Sequence, residues 1–208
     1  MVNIAWARMK PASKKSKPPA PPPKLSRDDW LDAAFGAVVE GGFDAVRVLT
    51  LAQRLGVTRG SFYWHFADHA ELVAALLKRW RERELEIDGK LQADATPDPK
   101  ADLERLLEAA LAHAGADLEN MRFELALRGL GRRDAQVATM LVEVDRTRMA
   151  LFEHKFQRLT GNPKTAAELA TLFYLAIVGS HQALSRPASP PRMKEYLRGI
   201  IARHLIRR

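Results

Sequence analysis

Between Val48 and Phe66 the chain reads VLTLAQRLGVTRGSFYWHF, and few folds accommodate that order of residues. Leu51 and Leu55 stand one helical turn apart with Ala52 beside them, which gives a short helix a single apolar face. Gly56 follows, able to take the left-handed backbone at a helix end without a Cβ clash. Val57 then supplies an apolar anchor, and Thr58 a hydroxyl able to cap a second helix over Arg59-Gly60-Ser61. On that second helix Phe62 and Phe66, four residues apart, are predicted to point inward, while Thr58, Arg59, Ser61 and Trp64 face out. Ala52 is small where the helices cross and Gly56 makes the turn, the pattern of a helix-turn-helix. The second helix of such a unit enters the DNA major groove N-terminus first.

The string LAQRLGVTRGSFYWHF resembles the DNA-binding signature of the TetR/AcrR family of one-component transcriptional repressors. Leu51-Ala52, Gly56-Val57, Tyr63 and His65-Phe66 stand where the family pattern has isoleucine-alanine, glycine-valine, tyrosine and histidine-phenylalanine. The detailed resemblance covers Trp30 to about Leu77. It implies an all-α protein of about nine helices: an N-terminal three-helix DNA-binding domain over residues 26–70, then a C-terminal helical effector-binding and dimerisation domain over residues 71–208.

Charge supports this division only locally. Residues 1–25 hold Arg8, Lys10, Lys14, Lys15, Lys17 and Lys24 with no acid, which accounts for +6 of the net +8. The segment is also rich in proline (Pro18, Pro19, Pro21, Pro22, Pro23), and it reads as a disordered, partly polyproline II arm. It is either an inert tail or a cationic arm that follows phosphates or enters the minor groove beside the main site. From Ser26 to Phe66 arginines and acids nearly balance, so DNA recognition there rests on local arrangement rather than on bulk charge.

Other classes fall away on composition. There is no cysteine, which excludes disulfides, thiolate metal sites and thiol nucleophiles. The longest mostly apolar run, Leu169 to Gly179, is far short of the roughly 18 residues of a membrane span. Val2 to Ala7 is too short for a secretory signal, and a cytoplasmic protein is expected. His113, His154, His181 and His204 fall one to a helix, none at metal-ligand spacing, and Ser180-His181 lacks a nucleophile elbow. Neither an enzyme site, nor a metal site, nor a cofactor is expected.

Candidate DNA contacts divide by chemistry. Arg59 suits direct base reading, because a guanidinium matches the O6/N7 edge of guanine bidentately. Thr58 and Ser61 are short hydroxyl donors, Gly60 lets the sugar-phosphate come close, and Trp64 can pack on a thymine methyl or a sugar. Tyr63 and His65 match the family's tyrosine and histidine near the phosphate backbone, and Arg47 joins this DNA-facing set. One residue departs from the family pattern: His69 stands where a lysine usually grips a phosphate together with the next helix N-terminus. A neutral histidine keeps a donor but loses the charge.

Ser26 and Asp29 have the spacing of a capping box before the first helix, and Gly41-Gly42 should end it. A fourth helix from Asp68 toward Gln92 carries Leu72, Leu76 and Trp80 as one stripe, with charged residues including Glu84 crowding the rest. It is long enough to link the two domains. Five further helical stretches follow, to about Leu205.

The resemblance also implies an effector pocket among helices four to eight. Trp80, His113, Phe123 and Arg128 are candidate lining residues, with Phe152, Phe156, Tyr174 and His181. Dimerisation should use the last two helices as a four-helix bundle: Phe173, Ile177 and His181 on one, and Tyr196, Leu197, Ile200, Ile201 and Leu205 on the other. The expected function is a homodimeric transcriptional regulator that binds double-stranded DNA at a pseudo-palindromic operator, a repressor released by a small-molecule effector. Two alternatives stand beside it: an activator or weakly specific architectural DNA-binding protein, and a ligand-binding helical protein without a DNA role.

Overall fold

The computed structural model describes residues 25–116, 118–184 and 192–206. Among these residues the chain is all-helical: α1 (Arg27–Gly41), α2 (Val48–Arg54), α3 (Arg59–Phe62), α4 (His69–Ala93), α5 (Pro99–Ala116), α6 (Leu118–Gly131), α7 (Ala135–Thr160), α8 (Pro163–Leu184) and α9 (Met193–Ile201). A 3₁₀ turn, Phe43–Ala45, follows α1, and a π turn, Ala202–Ile206, follows α9. The basic arm expected at the N-terminus lies, through residue 24, outside the described residues. Among the described residues no helix is long and apolar enough to cross a membrane.

Local chemistry sets the helix ends. The Ser26 hydroxyl accepts from the Asp29 amide at 3.2 Å, and the Asp29 carboxylate accepts from the Ser26 amide at 2.6 Å, so both halves of a capping box are made. Asp68 caps α4 by accepting from the Glu71 amide (2.8 Å), and Asp134 caps α7 through the amides of Gln136 and Val137. Gly56 has φ +68°, the left-handed backbone that the turn between α2 and α3 requires.

Apolar side chains gather into two cores. The first is built on Trp30, Leu51, Phe62, Phe66, Leu72 and Leu76, and continues without a break into Trp80, Phe123, Leu127 and Val144 of the body. Trp30 meets Phe62 edge to face at 5.3 Å, and Phe62 stacks on Phe66 at 5.5 Å. The second core holds Leu103, Leu107, Phe152, Phe156, Phe173 and Ile201. Within the body, Lys155 is buried against Asp102 at 2.9 Å, and Arg158 completes the triad at 2.7 Å.

A polar layer separates the two cores. Along α7, Val144 belongs to the first core and Leu151 to the second, with Arg148 buried between them. Along α4 the buried series runs Leu72, Leu76, Trp80 and then Glu84 and Asp88. Glu84, expected on the charged face, is therefore buried: it lies four residues beyond Trp80, on the side that α7 covers.

Part of the expected dimer set on the C-terminal helices is turned into the protomer itself. Phe173, Ile177 and His181 are buried within their own protomer, as is Ile201, while Leu197 and Leu205 are partly covered against the second core. Phe173 packs edge-on to Phe152 at 4.9 Å and to Phe156 at 5.9 Å. The outward side of α8 instead carries Leu172 and Leu175, and α9 presents Tyr196 and Ile200. The reason is compositional: α8 is apolar nearly all round, and the face richest in large rings goes to the protomer's own core.

Candidate functional sites: the amino-terminal head and the cavity between the cores

Sealing Phe62 and Phe66 beneath the head leaves a run of neighbours standing outward. Thr58, Arg59, Gly60, Tyr63 and Trp64 are all exposed, Trp64 at 88%, the highest among the large apolar side chains. Ser61 and His65 are half-buried. The helix beneath them is shorter than the sequence suggests: α3 proper is one turn, and the chain continues to Phe66 through turns in which Phe62 O accepts from the amides of His65 and Phe66. Thr58 sits at the N-cap with extended backbone, but its side chain makes no capping bond.

The Arg59 guanidinium donates to the Tyr63 hydroxyl at 2.9 Å, one turn along, so two outward residues hold each other in place. Gly60 is not a packing requirement. A Cβ built there would meet only Thr58 Oγ1, at an ordinary 3.7 Å. Arg47 donates to the Asp44 carbonyl (3.2 Å) at the start of α2.

His69 is anchored rather than free. Its Nε2 lies 2.7 Å from the Val46 carbonyl oxygen, which can only accept, so this nitrogen carries the proton. The imidazole thereby ties the start of α4 to the loop before α2.

The second site is a cavity of about 70 Å³ where the two cores part, bordered by α4, α5, α6, α7 and α8. Of the residues expected to line it, Phe152 and His181 do so. Trp80, Phe123 and Phe156 do not: all three are buried in apolar packing, Phe123 stacked on Phe35 at 4.9 Å and edge-on to Phe43 at 5.7 Å. Arg128 and Tyr174 lie together beside the cavity, 3.5 Å apart, and the side chain of His113 lies outside those described.

Glu84, Asp88, Asn120 and Arg148 also line the cavity, and the sequence reading missed them in that role. The signal was present, because Glu84 and Asp88 continue the four-residue spacing of Leu72, Leu76 and Trp80.

Ion pairs knit this layer. Arg148 reaches Glu84 at 2.7 Å and Glu124 at 3.5 Å, while Arg128 bridges Glu124 (2.7 Å) and Asp145 (2.8 Å). Burial alone would raise the Glu124 carboxyl, but Arg148 and Arg128 outweigh it and hold it below the ordinary range. Tyr174, half-buried, is pushed up to about 12 by desolvation, which outweighs the nearby Arg128; a hydrogen bond to Asp145 also raises it.

Residues 31–76 match the sequence profile described as bacterial regulatory proteins, tetR family. Over 82 residues the chain is 33% identical to the HTH-type transcriptional regulator TtgR of Pseudomonas putida, which covers 39% of each protein. It is 29% identical over 82 residues to the regulator AcrR of Shigella flexneri, covering 39% of this chain and 38% of that one. The chain thus aligns with about two-fifths of the length of these curated relatives.

Its fold extends further. A transcriptional regulator from Saccharomonospora viridis, solved in complex with choline, superposes with a TM-score of 0.72 at 20% identity, over 88% of this chain and 98% of that one. A transcriptional regulator from Rhodococcus sp. Rha1 does so with a TM-score of 0.70, also at 20% identity, over 88% and 97%. Residues 31–76, the amino-terminal head, thus resemble the bacterial regulatory proteins of the tetR family, and the described chain shares its fold with solved transcriptional regulators.

Proposed function

We propose that the chain is a sequence-specific DNA-binding repressor that works as a homodimer in the cytoplasm and is released from a pseudo-palindromic operator by a small molecule held in the cavity. The observation that carries this reading is the outward face of Thr58–Trp64 over a closed apolar core. Among the described residues the Arg59 guanidinium is met by the equally outward Tyr63, Gly60 has room for a side chain, and the Trp64 ring is bare. A major groove gives each of them a use.

In this reading the partner protomer is met through Leu172 and Leu175 of α8 and Tyr196 and Ile200 of α9, all of them exposed. A two-fold axis there makes the contact self-complementary and sets two reading heads on successive major grooves. Effector release follows from linkage: a ligand preferring wrongly spaced heads weakens DNA binding by the factor that DNA weakens ligand binding. The choline complex of the Saccharomonospora viridis protein supports small-molecule binding by a protein of this fold. The protein acts as a non-enzymatic switch.

Selection of bound duplexes from a random pool, at stated salt, tests this directly. The expected outcome is a palindromic consensus bound at least about 10³-fold better than random duplex. Equal affinity for all duplexes would refute it.

A further inference from the structure

We infer that residues 1–24 are a second DNA-binding element, which sits on the phosphate backbone beside the site and supplies attraction that the head itself lacks. This rests on the DNA-binding reading above and adds a contact to it.

By charge alone the head is a poor binder of a polyanion. From Ser26 to Phe66 four arginines face five acids, Asp28, Asp29, Asp32, Glu40 and Asp44. Acids of the head and of α4 engage half of those arginines: Arg27 reaches Glu71 at 3.5 Å, and Arg54 pairs with Glu40. On α4, Arg79 is taken by Asp32 at 2.7 Å. Among the described residues, the head's two other arginines are Arg47, which donates to the Asp44 carbonyl, and Arg59, which donates to the Tyr63 hydroxyl. His69 spends its Nε2–H on the Val46 carbonyl at 2.7 Å. A duplex carries one negative charge per about 1.7 Å of its axis, so two guanidiniums neutralise little of what a binding site presents.

Residues 1–24 hold Arg8, Lys10, Lys14, Lys15, Lys17 and Lys24 and no acid. They also join the head on a fitting side. Arg27, the first residue of α1, has its guanidinium 4.4 Å from the centroid of the Phe66 ring, and Phe66 stands two residues past the exposed Trp64. Its partner Glu71 belongs to the first turn of α4. The attachment point of residues 1–24 therefore borders the outward run Thr58–Trp64. A stretch of 24 residues spans at most about 80 Å, against about 34 Å for one turn of duplex, so its cations can reach phosphates that flank the head. Five of the six are lysines, and an ammonium is a point charge that suits phosphate without the planar fork of arginine.

The test removes the charge and keeps the length. R8Q, K10Q, K14Q, K15Q, K17Q and K24Q are combined in the full chain and compared with the parent by fluorescence anisotropy, on selected operator and on random duplex, from about 50 to about 200 mM salt. Each cation seated on a phosphate adds about 0.9 to the slope of log K against log salt. The combined variant should flatten that slope by at least about 3 on both duplexes and weaken binding at least about tenfold at the lowest salt. Its selected consensus and melting temperature should match the parent's, and deletion of residues 1–24 should give the same result. An unchanged slope would overturn the inference. Tighter DNA binding or a lowered melting temperature would place the cations on the protein's own acids, and a changed consensus would place them on bases; either overturns the backbone contact. The regulator reading fails separately. If no palindrome is selected but the slope on random duplex flattens, residues 1–24 keep their role and sequence-specific repression falls. If a palindrome is selected and the slope does not move, the reverse holds.

Discussion

The Phe35 ring of α1 lies nearly parallel to that of Phe123 in α6, centroids 4.9 Å apart and planes 16° from each other. The residue after Phe123 is Glu124, which faces the cavity. Consecutive positions on one helix thus touch the amino-terminal head and the cavity. Phe123→Leu keeps most of the buried volume and removes the stacked pair, at about 0.5–1.5 kcal/mol beyond area. It should leave operator affinity and ligand affinity each within a few-fold of the parent, and shrink the factor by which ligand weakens operator binding. Operator titrations with and without saturating ligand measure that factor. An unchanged factor would remove Phe123 from the coupling.

Arg59 and Tyr63 are joined to each other, and apart from the edge-on contact of the Tyr63 ring with Phe62 at 5.3 Å they face solvent. Arg59→Ala should therefore leave the melting temperature almost unchanged, within about 0.5 kcal/mol, and weaken operator binding by about 1–3 kcal/mol. Tyr63→Phe deletes only the hydroxyl that accepts from Arg59 (2.9 Å) and should show a smaller loss in the same direction. Fluorescence anisotropy at one fixed salt concentration reads both. A large drop in stability with intact DNA binding would show that the pair is structural.

Gly60 separates stability from function in the opposite sense. The space around a Cβ is adequate, so Gly60→Ala should stabilise the head by up to about 1 kcal/mol through helix propensity. The added methyl lies on the face proposed to meet DNA, and operator affinity should fall. Thermal melts paired with binding curves test this, and a tighter-binding Gly60→Ala protein would place the groove elsewhere.

Two α8 leucines and one α8 phenylalanine should behave differently although all are apolar. Leu172→Glu and Leu175→Glu place charge on exposed positions and should yield folded monomers by sedimentation, with operator affinity lost. Phe173→Glu buries an unpaired charge in the second core and should fail to fold. A folded Phe173→Glu monomer would return the interface to the inner face of the helix.

Glu124 links stability to acidity. Its carboxyl is held below the unfolded value of 4.5, so its contribution is fully present above that pH and is lost as pH falls through the lower folded value. Glu124→Gln should flatten the acid limb of the stability profile. At neutral pH it should cost about 3–5 kcal/mol, because Arg148 and Arg128 lose a buried partner. Urea titrations at several pH values below and above 4.5 follow both effects.

The head was legible because its signals are local. Gly56 needs a positive φ, Ser26 and Asp29 sit at capping distance, and Phe62 and Phe66 share one side of a turn; each is decided within a few residues of chain. The body was legible in its helices and not in their facing. On α8 almost every side is apolar, so spacing alone did not say whether Phe173 or Leu172 would meet the protomer's own core. Glu84 and Asp88 were hidden for a related reason: in the stretch KRWRERELEID a carboxylate reads as solvated surface, and only packing of α7 against α4 shows which two are enclosed. Phe123 was expected at a ligand and is found against α1, since an aromatic on a helix carries no mark of which neighbour it will meet.

The buried series on α4 advances four residues at a time, and four residues turn a helix by about 40° more than one full revolution. From Leu72 to Asp88 that drift accumulates to about 160°. The helix is thus clasped from nearly opposite flanks at its two ends, by the head on one side and by the chamber wall on the other. In the proposed switch, a rod held this way would turn a sideways push at the end carrying Glu84 and Asp88 into a change of angle at the head.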